Sequence, residues 1–144
     1  MKGVVADADF EGQLQRLVDI WNTSEWGPFW SGLRIHVVTF ADLGLAKSAS
    51  DQLVWRTCQS REIVLVTGNR NLDDPTSLEA TIRNESRADS LPVFTVSKVD
   101  QVFEDRDYAH RVAVDLLEYL IEIRDNPESI LGSGRIYLPK PVKT

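Results

Sequence analysis

The chain has 144 residues, a net charge of −6, a hydrophobic fraction of 42% and a charged fraction of 26%, which are ordinary values for one globular domain. The negative charge argues against tight non-specific binding to duplex nucleic acid, because such binding depends on neutralising phosphates. The single cysteine, Cys58, excludes an intrachain disulfide and fits a reducing compartment.

Two features of the sequence bear on localisation. The first predicted strand begins so early that it leaves no room for a signal peptide. No apolar run approaches the roughly 18 residues that a membrane span needs. We therefore expect a cytoplasmic protein that makes no contact with a membrane.

Strand and helix patterns alternate along the chain. Strands are predicted at 3–6, 34–40, 63–67, 92–96 and, more weakly, 135–138. Helices are predicted at about 10–22, from Ser48 or Ser50 to 60, from Asp74-Pro75 to 84, and at 105–124. The alternation predicts an α/β fold, a three-layer sandwich around a mostly parallel central sheet of four or five strands. We expect one domain over 1–125 and a partly flexible C-terminal extension over 126–144.

The first and third predicted strands are wholly apolar, as is typical of strands that are covered on both faces. We therefore expect them to lie side by side and parallel in the centre of the sheet. The residues expected to be buried there are Val4, Val5, Ile63, Val64, Leu65 and Val66.

An aromatic segment, residues 25–30, joins the first predicted helix to the second strand and contains Trp26, Phe29 and Trp30. One interpretation is a loop that folds onto the core through its rings. The other is a surface for a protein partner or for a second copy of the chain, because aromatic residues are enriched at interface cores. The sequence leaves both interpretations open.

Acidic residues follow the predicted strands and begin the predicted helices. Asp7 and Asp9 follow the first strand, Asp51 begins a helix, and Asp74 comes after the third strand. Ligands of open α/β sheets gather at the carboxyl ends of strands, and carboxylates suit Mg²⁺ or Mn²⁺. Each acid also has a structural interpretation. Asp7 could accept loop amides, Asp74 could cap a helix, and Asp51 could form a capping box with Ser48.

Four short segments occur in an order that resembles a known family. They are the strand ending in Asp7, the turn 42–45 (Asp-Leu-Gly-Leu), the helix start 49–51 (Ala-Ser-Asp), and the strand 64–67 (Val-Leu-Val-Thr). This order resembles the PIN-like domains of the Mut7-C and DUF5615 type, which are related to the toxin ribonucleases of VapBC toxin–antitoxin systems. The resemblance covers roughly residues 4–99. It implies a PIN-like fold and hydrolysis of single-stranded RNA assisted by Mg²⁺ or Mn²⁺.

The resemblance also implies roles for individual acids. It makes Asp7 and Asp51 the metal ligands and the catalytic residues. Asp9 and Asp74 would then be additional metal ligands. A metal ion between these carboxylates would promote attack of water on a phosphodiester.

The chain departs from the family where a Thr-x-Asp-x-Asp pattern is expected. The matching positions are Thr67, Asn69 and Asn71, so that amides stand in place of two acids. A pair of unit charges at ~4 Å is worth roughly 4 kcal/mol at an effective dielectric of about 20, which an amide cannot supply. The sequence therefore predicts a weakened or vestigial metal site. Two functions stay open: a weak ribonuclease, and a module that binds protein or RNA without cleaving.

Several further residues have a functional and a structural interpretation. Five arginines could line an RNA groove or serve only solvation: Arg56, Arg61, Arg70, Arg83 and Arg87. Arg70 is the candidate RNA-binding residue among them. We expect Cys58 to act as a small hydrophobic residue and His36 and His110 to be structural or exposed. Lys98, after the fourth strand, keeps a flavodoxin-like or receiver-like signalling domain open.

Overall fold

The structure is a computed structural model that describes residues 1–68 and 77–141. Within these ranges it contains five strands: β1 (Gly3–Ala6), β2 (His36–Val38), β3 (Ile63–Gly68), β4 (Val93–Val96) and β5 (Arg135–Leu138). The α-helices are α1 (Glu11–Trp21), α2 (Gly27–Leu33), α3 (Asp51–Arg61), α4 (Leu78–Glu85), α5 (Gln101–Glu104) and α6 (Arg106–Asp125). Short 3₁₀ turns lie at Ala8–Phe10 and Pro127–Ser129.

The five strands form one parallel sheet in the order β2-β1-β3-β4-β5. Val4 lies opposite Val64 and Val5 opposite Leu65. The six residues predicted to be buried in these two strands are at most 6% exposed, which confirms that prediction. This order is found in doubly wound sheets, where ligands bind at the carboxyl ends of the two strands between which the order reverses. Here those strands are β1 and β3.

Alternate residues of each central strand face opposite layers of helices, as the period of two requires. Val4 and Val64 pack with α1, α2, α5 and α6 in one hydrophobic cluster. Val5 and Leu65 pack with α3 and α4 in the other. The predicted three-layer α/β sandwich is thereby confirmed.

Residues 27–30 of the aromatic segment form the start of helix α2, and Trp26 is its N-cap, so the prediction of a loop is wrong for residues 27–30. Pro28 lies in the first turn of α2, where its missing N–H costs no hydrogen bond. The Trp30 ring stacks on Trp21 with a centroid distance of 4.6 Å, and Trp26 also packs against the core. Phe29 is 52% exposed. The interpretation that the rings fold onto the core is confirmed for both tryptophans.

The second strand is shorter than predicted, for two reasons. Arg34 ends α2 in a left-handed conformation, with a φ of 54°. The Thr39 amide donates to the Asp42 carboxylate at 2.9 Å, which closes a turn instead of extending the sheet. Pairing with β1 is therefore limited to His36–Val38.

The C-terminal segment, described over residues 126–141, supplies the weakly predicted strand β5 to the sheet. After this strand the Lys140 amide donates to Asp115 and its Nζ lies against Glu118, both at 2.7 Å. These contacts fasten the segment to α6. Within the described residues, no helix is both long and apolar enough to cross a membrane.

A buried pair of hydroxyl groups joins β3 to β4. Thr67 Oγ1 and Thr95 Oγ1 are 3.1 Å apart, and both residues are buried. We expect Thr67→Val to lower the free energy of unfolding by about 1–3 kcal/mol, because the Thr95 hydroxyl loses its partner. The double variant with Thr95→Val should cost less than the two single changes added together. Urea denaturation of all four proteins measures this coupling, and strict additivity would contradict it.

Candidate functional site

A cavity of about 40 Å³ lies beside the carboxyl ends of β1 and β3. Its position matches the point at which the strand order reverses. The described residues that line it are Asp7, Asp51, Thr67, Gly68, Ser77, Leu78, Glu79 and Arg135. We call it the acidic cavity. Two residues predicted from the sequence as metal ligands, Asp7 and Asp51, thus meet in one place although 44 positions separate them (51 − 7).

Asp7 is positioned by the end of β1. Its amide donates to the Val66 carbonyl at 3.0 Å, which continues the pairing with β3. Its Oδ1 accepts from the Ala8 amide at 2.8 Å and begins the 3₁₀ turn that follows. The two interpretations of Asp7 are therefore compatible, because the carboxylate accepts a local amide and also lines the cavity.

Asp51 is the first residue of α3, and its contacts differ from those expected. Ser50, not Ser48, caps this helix by accepting from the Leu53 amide, so the proposed capping box with Ser48 is wrong. Asp51 Oδ2 instead accepts from the Leu78 amide at 3.1 Å. Leu78 begins α4. One carboxylate therefore connects the starts of two helices at the wall of the cavity.

Arg135 is a residue of the cavity that sequence reasoning missed. It begins β5, and its Nε lies 3.4 Å from Glu79 Oε2, an ion-pair distance. The Arg135 side chain is only 13% exposed, and its Nε makes no hydrogen bond within the described residues. The sequence signal was the short strand pattern at 135–138, which is predicted to lie in the C-terminal extension and not in the main domain.

The remaining predicted site residues are placed as follows. Thr67 lines the acidic cavity, with its hydroxyl bonded to Thr95. Asp9 is exposed and is absent from the described lining of the cavity. Four predicted residues lie outside the described ranges: Asn69, Arg70, Asn71 and Asp74. In the part of the chain that the structure describes, no group of three or more His, Cys, Asp or Glu is arranged to hold a metal ion.

The sequence predicts a helix that begins at Asp74-Pro75. Among the described residues this helix, α4, begins at Leu78. Ser77 has an extended backbone and its Oγ accepts from the Ala80 amide, so that α4 begins at Leu78. This start brings Leu78 to Asp51. The acidic cavity is thereby closed on one side by the first turn of α4.

The other candidate residues lie away from the described lining of the acidic cavity. Lys98 is exposed and lines a separate depression with residues 97–101. The strand order is that of flavodoxin-like folds, but Lys98 does not line the acidic cavity with Asp7 and Asp51. Burial raises the pKa of the Cys58 thiol to about 12, so it is a small hydrophobic residue at neutral pH. His36 and His110 are exposed.

The arginines that the sequence left open between RNA binding and solvation are exposed wherever they are described: Arg56, Arg61, Arg83 and Arg87. Arg56 pairs with Glu85 at 2.7 Å. This contact, with a hydrogen bond from Gln52, holds the pKa of the Glu85 carboxyl below its usual value. No described arginine of this set lines the acidic cavity.

Comparison with known proteins gives no relative from which a function could be transferred. No family model, curated protein or solved structure matches this chain. The resemblance to PIN-like domains therefore stays a prediction from the sequence segments.

Proposed function

We propose that this protein is a PIN-like domain related to Mg²⁺-dependent ribonucleases, with weak activity on single-stranded RNA. The observation that carries the proposal is the meeting of Asp7 and Asp51 at one cavity. That cavity lies where the strand order reverses, which is the usual ligand position in such sheets. The sequence resemblance predicts the same two residues as ligands of the metal ion.

The residues of the acidic cavity fit a small hard cation. Carboxylates and hydroxyls are the oxygen ligands that Mg²⁺ prefers, and the lining contributes Asp7, Asp51, Thr67 and Ser77. A volume of about 40 Å³ holds an ion or a water molecule but not a nucleotide base. When bound there, Mg²⁺ or Mn²⁺ would supply electrostatic stabilisation for charge on a phosphodiester.

Arg135 gives the cavity a second function in this proposal. Its guanidinium is planar and carries donors in a fork that matches two phosphate oxygens. Its Nε is shielded from solvent and lies 3.4 Å from Glu79 Oε2, which holds the guanidinium at the cavity wall. We therefore assign Arg135 to the binding of an RNA phosphate beside the two aspartates.

The same arginine also favours a second candidate function, a module that binds RNA without cleaving it. Arg135 and Glu79 pair inside the acidic cavity, so one cation already offsets part of the negative charge that would attract a metal ion. Asp51 is likewise engaged by the Leu78 amide. In this alternative the module belongs to a toxin–antitoxin system, and Phe29 is the exposed ring of the aromatic segment that is available to a protein partner.

The ribonuclease and the binding module are expected to respond differently when acids replace Asn69 and Asn71. The variant Asn69→Asp/Asn71→Asp recreates the family pattern at two positions outside the described residues. It should bind Mg²⁺ more tightly than the wild type, because each change adds a negative charge beside the proposed ion. Without metal it should melt at a lower temperature, because carboxylates would then crowd one another.

Thermal melts with and without Mg²⁺, together with cleavage of a mixed single-stranded RNA pool, measure these effects. The matched control is Asn22→Asp/Asn126→Asp, two exposed amides elsewhere, which should respond to Mg²⁺ as the wild type does. Gain of metal affinity without cleavage supports the binding module. Gain of neither would show that Asn69 and Asn71 do not belong to a metal site.

A further inference from the structure

Four side chains lie in one row that crosses the sheet from β1 to the edge strand β5. Thr67 of β3 lies opposite Thr95 of β4, and Thr95 lies opposite Tyr137 of β5. Asp7 follows β1 directly and its amide donates to the Val66 carbonyl, which places Asp7 opposite Thr67. We call these residues the cross-strand row: Asp7, Thr67, Thr95 and Tyr137.

The cross-strand row faces the layer that contains α3 and α4. Its first three members each come two positions after a residue of the hydrophobic cluster that packs with these helices: Val5, Leu65 and Val93. Side chains two positions apart in a strand point to the same face of the sheet. Asp7 and Thr67 accordingly line the acidic cavity. The row therefore starts at the proposed metal site and continues outward across the sheet.

Tyr137 ends this row as a half-exposed aromatic residue. Strand β5 lies at the edge of the sheet, and its side chains alternate between two surroundings. Ile136 and Leu138 pack with the cluster around α6, whereas Arg135 and Tyr137 point to the other face. In the part of the chain that the structure describes, the cluster under α3 and α4 contains no residue of β5. Tyr137 is therefore 49% exposed.

An exposed ring at this place suits the bases of single-stranded RNA. Adjacent strands are about 4.8 Å apart, so the backbone of Tyr137 lies roughly 14 Å from that of Asp7, a distance that a few nucleotides span. Unpaired bases stack on aromatic side chains, whereas the bases of a duplex are already stacked on one another. Arg135, two positions before Tyr137, lines the acidic cavity. Strand β5 thus presents a cation for the RNA backbone and a ring for a base, the usual combination in single-strand binding sites.

We propose that Tyr137 stacks on an unpaired base of an RNA strand whose backbone passes the acidic cavity. This role rests on the function proposed above and makes Tyr137 a residue that selects single-stranded over duplex RNA. Stacking also suits a chain with a net charge of −6, because contact between a ring and a base needs no neutralisation of phosphates. We therefore expect the affinity for RNA to depend strongly on its bases.

Fluorescence anisotropy of a labelled oligouridylate, with EDTA present so that no metal-dependent cleavage occurs, measures this binding. Tyr137→Ala should weaken it about ten-fold, the usual effect of removing one stacking ring. Tyr137→Phe keeps the ring and should bind as the wild type does. Phe29→Ala is the matched control, because Phe29 is similarly exposed, at 52%, but belongs to α2 in the opposite layer. Far-ultraviolet circular dichroism confirms that each variant is folded.

An oligomer of the same length that lacks its bases separates stacking from backbone contacts and from a structural effect of the substitution. The wild type should bind this oligomer about ten-fold more weakly than oligouridylate, and Tyr137→Ala should bind the two oligomers with nearly equal affinity. The salt dependence of oligouridylate binding should be the same in Tyr137→Ala as in the wild type, since the ring contacts no phosphate.

Three results would overturn the proposal. The first is equal affinity of the wild type and Tyr137→Ala for oligouridylate. The second is equal affinity of the wild type for oligouridylate and for the oligomer without bases. The third is a loss of binding in Phe29→Ala as large as that in Tyr137→Ala.

Calorimetry with Mn²⁺ distinguishes failure of this proposal from failure of the metal site. Tyr137→Ala should bind Mn²⁺ as the wild type does, whereas Asp7→Asn should bind it more weakly. Unchanged RNA binding in Tyr137→Ala, together with Mn²⁺ binding that depends on Asp7, would contradict stacking and support the metal site. Weakened RNA binding in Tyr137→Ala without Mn²⁺ binding in the wild type would support stacking and contradict the metal site.

Discussion

Replacing Asp7 by Asn is expected to lower the affinity for Mn²⁺ by about 100-fold or more, because one of the two carboxylates beside the proposed ion loses its charge. Any Mg²⁺-dependent cleavage of RNA should disappear with it. The fold should survive, since the Asn side-chain oxygen can still accept from the Ala8 amide as Asp7 Oδ1 does. The loss of Mn²⁺ affinity and of cleavage would then result from the missing charge in the acidic cavity and not from unfolding.

Calorimetry with Mn²⁺ and a cleavage assay measure the two effects. Asp89→Asn is the matched control, because Asp89 is exposed and lies outside the described lining of the acidic cavity. Asp9→Asn should also have little effect, since Asp9 is exposed and does not line the cavity. Equal Mn²⁺ affinities for the wild type and Asp7→Asn would remove Asp7 from the metal site. Robust wild-type cleavage that Asp7→Asn silences would exclude the non-cleaving alternative.

Trp21→Ala is expected to cost about 3–5 kcal/mol of the free energy of unfolding, the usual penalty for deleting a large buried aromatic side chain. Trp21 is 0% exposed and ends α1. Its ring stacks on Trp30 of α2 and its indole donates to Ala113 of α6. One side chain thus joins three helices, and a domain stabilised by only about 5–15 kcal/mol would lose a large share of its stability.

Urea denaturation followed by far-ultraviolet circular dichroism measures this change without depending on tryptophan fluorescence. Trp21→Phe is the matched control, because it keeps an aromatic ring against Trp30 and removes the hydrogen bond to Ala113. It should cost about 1–2 kcal/mol, less than the alanine substitution does. An alanine variant as stable as the phenylalanine variant would show that the Trp21 ring does not join these helices.

The fold could be predicted from the sequence because its strongest signals are local. β1 and β3 are wholly apolar runs, which are typical of strands covered on both faces. Helix α6 was predicted to within one residue at either end, since its apolar residues keep helical spacing over five turns. These patterns fix the type of each element and, with parallel connections, the class of the fold.

Features that depend on distant contacts could not be predicted in the same way. Helix α2 contains Gly27, Pro28 and Gly32, which is poor helical composition. It is stabilised by stacking of Trp30 on Trp21. The aromatic spacing indicated packing on the core but gave no sign of the backbone conformation.

The candidate site shows the same division. Asp7 and Asp51 follow from strand ends, helix starts and a family resemblance, and the structure places both at one cavity. Two contacts at this cavity depend on how α4 and β5 pack. They are the hydrogen bond from the Leu78 amide to Asp51 and the ion pair between Arg135 and Glu79. No local pattern records either contact, since Leu78 is 27 positions from Asp51 and Arg135 is 56 positions from Glu79 (78 − 51 and 135 − 79).

Paramagnetic broadening by Mn²⁺ tests most directly whether the acidic cavity is a metal site. Two backbone amides report on its carboxylates, because Ala8 donates to Asp7 and Leu78 donates to Asp51. Substoichiometric Mn²⁺ should broaden both amide signals in the wild type and spare them in Asp7→Asn, and excess Mg²⁺ should restore them. A metal site at Asp7 and Asp51 would be contradicted if Mn²⁺ broadened other signals but left the Ala8 and Leu78 amide signals sharp. Equal broadening of these two signals in Asp7→Asn would contradict it as well.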